Sequence, residues 1–240
     1  MQKPPIGSTI DLSHPLSQGL VGCWLFNEGS GKAGINIVSK KTGTIVSDAT
    51  LTNQGLVCTV NTGGLSVDTF PFMNGNTSYT IFSIINFTTI PVYGVLFGIS
   101  NTCILFMSSS NQLTFKNGNW SSDRCHLIGF GVTGRFSVAG VLNTNKNQYA
   151  VYKNGVAGNV GVTGLYNPVY DLTGAWSIGA SSNLQGSAGT IIETVLFYNR
   201  ALSPDEIKSL NDNPYQFILT KPQSPILTYR KIPYNQVRFL

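Results

Sequence analysis

The sequence predicts an all-β protein, a two-sheet antiparallel jelly-roll sandwich with one short helix near the C-terminus. Three observations carry this expectation. More than ten short β-branched or aromatic runs alternate with Gly- and Asn-rich turns, and 26 of the 240 residues are glycine. The run Ile191–Tyr198 is apolar on both parities, Ile191, Val195 and Phe197 on one and Ile192, Leu196 and Tyr198 on the other. Such a strand needs cover on both faces and belongs inside a sandwich. Finally, helix-start signals are concentrated at a single place, and no internal repeat is present.

In chain order, residues 1–18 carry Pro4, Pro5 and Pro15 without periodicity and read as an N-terminal extended arm. The first strand follows, with Leu20, Gly22, Trp24 and Phe26 on one parity and Val21, Cys23 and Leu25 on the other. Trp24 reads as core, and Gly29–Gly31 forces a turn. Short strand signals come next at Thr44–Val46, Gly55–Val60 and Leu65–Val67. Thr80–Phe87 is a clear strand, Ile81, Ser83, Ile85 and Phe87 alternating against Phe82, Ile84 and Asn86. Tyr93–Ile99, Cys103–Met107 and Gln112–Phe115 continue the series up to the turn at Asn117-Gly118. Leu127–Val132, Arg135–Leu142 and Tyr149–Tyr152 lead to a second such turn, Asn154-Gly155. Ala175–Ile178, with Trp176 in the core, precedes the closing strand.

The helix begins after Ser203, an N-cap residue followed by Pro204 at the first helical position. Glu206 completes a capping box, and Leu202 and Ile207 occupy the two positions of a hydrophobic staple. Asn211, Asp212, Asn213 and Pro214 end the helix early. The domain is therefore expected over residues 19–216, with residues 217–240 as a C-terminal extended arm. That arm lacks acids, carries Pro222, Pro225 and Pro233, and interleaves basic with apolar side chains. Tyr229, Ile232, Tyr234 and Phe239 are its candidates for docking on a partner.

Composition excludes several classes of function. Only 10% of residues are charged, and the net charge of +5 includes no run of basic residues longer than two. Nucleic-acid binding needs a clustered basic face and is not expected. No apolar run approaches the roughly 20 residues of a membrane helix. The start, MQKPPIGSTIDLSHP, has no apolar stretch typical of a signal peptide, so secretion by that route is not expected. Cys23, Cys58, Cys103 and Cys125 are widely spaced and read as free, mostly buried thiols, with one disulfide left open. Neither His14 nor His126 has metal-ligand spacing. Gly29–Lys32 lacks the first glycine and the hydroxyl of a phosphate loop.

Three segments carry a resemblance. Val195–Ile207 (VLFYNRALSPDEI), Gly19–Gly31 (GLVGCWLFNEGSG) and Tyr152–Gly155 (YKNG) resemble, in order and spacing, laminin-G-like domains of the concanavalin A-like lectin/glucanase superfamily. The resemblance spans about residues 19–213 and implies a concanavalin A-like sandwich whose first and last strands share a sheet. Ser13–Gly31 further resembles the start of laminin-G-like proteins of bacteriophages. Glycosidases of the superfamily set acids at alternating positions of one strand. Here Asp205 and Glu206 serve the helix start, while Glu193 and Glu28 stand isolated, so the chain is expected not to be an enzyme. Many relatives bind calcium through acidic loops. The corresponding triplets here are Ile192-Glu193-Thr194 and Phe26-Asn27-Glu28, each short of an acid, so no cofactor is expected and calcium stays open only through backbone carbonyls.

The resemblance and the arms together imply a non-enzymatic virion structural protein, displayed on the particle surface as capsid decoration, head fibre or tail-associated protein. Its expected partners are other virion proteins, a homo-oligomer being left open, and its expected place is the virion, assembled in the host cytoplasm. The alternative is a carbohydrate-binding adhesin module of a tail fibre. Exposed loop aromatics beside amides and acids would grip the sugar: Asn119, Trp120, Tyr166, Tyr170 and Asp171.

Overall fold

A computed structural model describes residues 2–58, 63–67, 78–90, 94–99, 102–109, 112–116, 124–128, 133–146, 148–158, 161–162, 176–180 and 189–220. It is an antiparallel β-sandwich with a single short α-helix among the described residues, the all-β architecture the strand pattern predicts. The strands are β1 (Thr9–Ile10), β2 (Leu20–Trp24), β3 (Ala33–Ile35), β4 (Thr42–Val46), β5 (Thr50–Leu51), β6 (Leu56–Cys58) and β7 (Gly64–Val67). They continue as β8 (Tyr79–Phe87), β9 (Val95–Ile99), β10 (Thr102–Ser109), β11 (Gln112–Lys116), β12 (Arg124–Ile128) and β13 (Gly134–Asn143). The rest are β14 (Gln148–Lys153), β15 (Val156–Ala157), β16 (Gly161–Val162), β17 (Trp176–Ile178), β18 (Thr190–Tyr198), α1 (Pro204–Asp212) and β19 (Ile218–Leu219).

One sheet runs β12-β11-β10-β9-β17-β7-β4-β3. The other runs β15-β14-β13-β8-β18-β6-β5, with β16 on β14 and β2 on β18. The first and last long strands thus pair, Val195 opposite Trp24 and Leu196 opposite Cys23. Between the sheets lies an aromatic core. Trp176 meets Phe197 edge-on at 5.2 Å, and Tyr79 stacks on Phe197 at 6.0 Å and meets Phe115 edge-on at 5.8 Å. Trp24 and Trp176, both read from the sequence as core, are buried there.

The second sheet is covered on its outer face as well. Phe82, Ile84, Leu196 and Tyr198 point outward into a second core with Leu16, Leu202, Ile207, Leu210 and Phe217. This explains why β8 and β18 are apolar on both parities. In β8 the alternation is as the sequence indicates, Ile81, Ile85 and Phe87 inward and Phe82 and Ile84 outward.

In β18 the parity changes partway. The register against β8 shifts between Ile192 and Thr194, so Glu193 is an extra residue, and Ile192 joins Val195 and Phe197 in the inner core. The expected grouping of Ile191 with Val195 and Phe197 is corrected by this bulge. Beyond it the strand changes partners, from β6 at Thr190–Ile192 to β2 at Val195–Tyr198.

Ile10, Leu16, Phe217 and Ile218 pack on this outer face. Residues 2–18, expected as an extended arm, include a buried Leu16, and β1 pairs with β19. Residues 217–219, expected in the C-terminal arm, hold the fully buried Phe217 and the paired β19. Cys23 and Cys58 are free, buried thiols.

Candidate functional site

None of the site residues expected from sequence lies among the described residues. Asn119, Trp120, Tyr166, Tyr170 and Asp171, the glycan candidates, fall outside them, as do Tyr229, Ile232, Tyr234 and Phe239 of the docking segment. The described residues assemble two other features.

The first is a groove of about 330 Å³ on the outer face of the second sheet. Its floor follows from the β13–β14 register. Ala139 faces Tyr152, Val141 faces Ala150, and Asn143 faces Gln148, three successive rungs on one face. Along them the chemistry grades from apolar to amide. The small side chains at Val141 and Ala150 leave depth in front of Tyr152, which is buried to 5% exposure. The 3-10 turn Thr144–Lys146 follows directly on β13. It is fixed from within, since Lys146 N donates to Asn143 Oδ1 at 3.1 Å and Thr144 N donates to Ser78 Oγ at 3.0 Å. Lys146 lies at the groove and is exposed.

The opposite wall is the entry to α1, residues 201–204 with Glu206. Thr80 positions it: its hydroxyl donates to Arg200 O at 2.9 Å and accepts from Leu202 N at 2.9 Å. The capping box is complete, Glu206 N donating to Ser203 Oγ and Ser203 N to Glu206 Oε2. Leu202 and Ile207 are both buried in the outer core, as a staple requires. Arg200 grips Glu206 with two nitrogens, at 2.9 and 2.7 Å. Burial pushes the Glu206 carboxyl upward, yet the bonds from Arg200 and Ser203 and the Arg200 charge outweigh it and hold the group below its ordinary value. The groove's acid is therefore ionised and already neutralised by its own partner.

The second feature surrounds Lys3. Its ammonium donates to Phe26 O at 3.0 Å and Gln54 O at 2.8 Å, while Asn27 Nδ2 donates to Pro4 O at 2.7 Å. Burial lowers the Lys3 pKa from 10.5 to about 8, opposed by the charges of Glu193 and Glu28 and assisted by Arg135. Arg135 Nε also meets Glu193 at 3.0 Å. Glu28 accepts from Ile35 N at 2.8 Å through Oε1, and its Oε2 is buried without a hydrogen-bond partner. Glu28 and Glu193 are isolated in sequence but act on one ammonium in space.

Sequence reasoning missed both features. The hairpin alternation of Val141, Asn143, Gln148, Ala150 and Tyr152 was a usable signal for the groove floor. The wall at 201–206 and the clustering about Lys3 depend on long-range packing. Among the described residues no helix is long and apolar enough to cross a membrane, and no group of His, Cys, Asp and Glu could hold a metal.

No family model and no curated protein matches the chain. Solved structures of similar fold do. Trypanosoma rangeli sialidase aligns with a TM-score of 0.65 at 17% identity, over 83% of this chain and 33% of that one. The same enzyme in complex with 2,3-difluoro-KDN aligns with a TM-score of 0.64 over 90% of this chain and 37% of that one, at 17% identity. The CBM40 carbohydrate-binding module of a Ruminococcus gnavus IT-sialidase, bound to α2,3-sialyllactose, aligns with a TM-score of 0.55 at 15% identity, over 66% of this chain and 96% of that one. The chain spans about a third of the sialidases' length. These likenesses establish a fold shared with sialidase and carbohydrate-binding β-sandwiches. The expectation that the chain is not an enzyme is corrected by them, because enzymes stand among the structures of this fold.

Proposed function

We propose that this chain is a carbohydrate-binding β-sandwich module that presents its outer face to glycans. The observation that carries this reading is the sandwich it shares with a carbohydrate-binding module whose structure holds sialyllactose. The groove on the second sheet supports it, being at the small end of the range of ligand sites, about 300–1,000 Å³. The loop candidates Asn119, Trp120, Tyr166, Tyr170 and Asp171 belong to the same proposal as further sugar contacts. The full chain, applied to a broad glycan array with and without calcium, is expected to give a saccharide signal that loop or groove substitutions abolish. A folded chain that binds no glycan overturns the reading.

The motifs at Gly19–Gly31, Tyr152–Gly155 and Val195–Ile207 favour a laminin-G-like affiliation, and Ser13–Gly31 favours a bacteriophage particle as the carrier. In this second reading residues 221–240 anchor the module to other virion proteins through Tyr229, Ile232, Tyr234 and Phe239. Truncation is best made after Thr220, because Phe217 is buried and β19 is paired. The truncated chain is expected to fold but to be missing from assembled particles. Normal incorporation of the truncated chain rejects the anchor.

A further inference from the structure

We infer that the groove between the β13–β14 hairpin and the start of α1 takes an acidic saccharide, one bearing a carboxylate, with Lys146 as the residue that selects for the charge. The inference rests on the glycan-binding reading above and names its site and ligand class. Three observations carry it.

The first is the lining. A sugar ring offers a C–H face and a belt of hydroxyls. The floor supplies the apolar patch, Val141, Ala150 and the edge of Tyr152, and the amides of Asn143 and Gln148 stand at its end, where they can donate to and accept from hydroxyls. The second is the charge balance. Among the described residues the only acid lining the groove is Glu206, and both its oxygens are occupied by Arg200 and by the Ser203 amide. Lys146 has no acidic partner within 4.0 Å among the described residues. Among the described residues a ligand anion would thus meet the Lys146 ammonium and no free carboxylate, so this part of the groove complements negative charge.

The third is preorganisation. Both walls are set by hydrogen bonds independent of any ligand, Asn143 and Ser78 holding the turn that carries Lys146, and Thr80 holding the entry to α1. Little further ordering is then needed on binding. Asn143 Oδ1 accepts from Lys146 N, which leaves its Nδ2 as a donor at the groove, while Gln148 brings a further amide.

The test titrates the full chain with α2,3-sialyllactose and with lactose, which lacks only the carboxylated sugar. Sialyllactose is expected to bind about tenfold or more tightly than lactose at low salt, with the gap narrowing at high ionic strength. Lys146→Ala should remove that preference by weakening sialyllactose far more than lactose, Lys146→Arg should retain it, and Gln148→Ala should weaken both sugars. Both positions are at the surface, and a thermal melt confirms that the variants fold. Equal binding of the two sugars, or a Lys146→Ala chain that binds sialyllactose as the wild type does, overturns the inference. A glycan-array signal indifferent to Lys146→Ala and Gln148→Ala rejects the groove and leaves the module reading standing. Absence of any glycan signal rejects both.

Discussion

Lys3 sits in surroundings unusual for a lysine, half-buried against backbone carbonyls. It ties residues near the N-terminus to two turns of the sandwich by capping Phe26 O and Gln54 O. Phe26 itself adopts φ 47°, unusual for a bulky residue, with its ring fully buried. Holding an ammonium there costs solvation, which lowers its pKa to about 8. Between about 8 and 10.5 the unfolded chain keeps this proton while the folded chain releases it. Stability linked to Lys3 therefore rises with pH across that window. Buried thiols and phenols act in the opposite direction, Cys58 being pushed up to about 12 by burial, so the comparison must be with a variant sharing them. Melting temperatures of wild type and Lys3→Met, compared from pH 7.5 to 10, should diverge in favour of the wild type as pH rises. A constant difference would give Lys3 an ordinary pKa.

At the scale of single elements, α1 shows local code at its clearest. Ser203, Pro204, Glu206 and the pair Leu202 and Ile207 each specify the same start, and the helix begins at Pro204. Ser203→Ala should cost about 1 kcal/mol, within the usual range of about 0.5–2 for a lost N-cap, read by urea denaturation. A change under about 0.3 kcal/mol would show that the Arg200–Glu206 grip and tertiary packing hold the end without the cap. The hairpin at Asn154-Gly155 was equally legible: the two residues have φ 51° and 75°, as its tight turn demands. Strand β18 was legible in type and length but not in phase. The bulge at Glu193 answers a change of neighbour from β6 to β2, and nothing within Ile191–Tyr198 announces it.

Across the whole molecule, the two sheets are keyed together at a few close approaches. Gly140 of β13 faces Phe115 of the opposite sheet, and a Cβ added there would lie 2.2 Å from the ring. Gly140→Ala should destabilise the sandwich by about 1–3 kcal/mol through overpacking. That corresponds to a fall in Tm of roughly 2–4 °C per kcal/mol for a chain of this size, measurable by calorimetry. An unchanged Tm would mean that the sheets separate at this point without cost. The outer face is built as a third layer, where Leu16, Leu202, Ile207 and Phe217 cover the second sheet, and the groove forms where this layer ends.

Period-two alternation and turn chemistry in the sequence determined that this is an all-β sandwich, that its closing strand is buried on both faces, and where its helix starts. These are local properties, written within a few residues of one another. Only the tertiary structure decided that the charges of Glu28 and Glu193 both act on the Lys3 ammonium, that β18 changes phase at a bulge, and that Ser203 faces the β13–β14 hairpin across a groove. Such juxtapositions join residues from 25 to 190 positions apart, as with Lys3 against Glu28 and Glu193. Their cause is the order in which strands are laid into two sheets, a choice made by burial of the whole apolar surface rather than by any single segment.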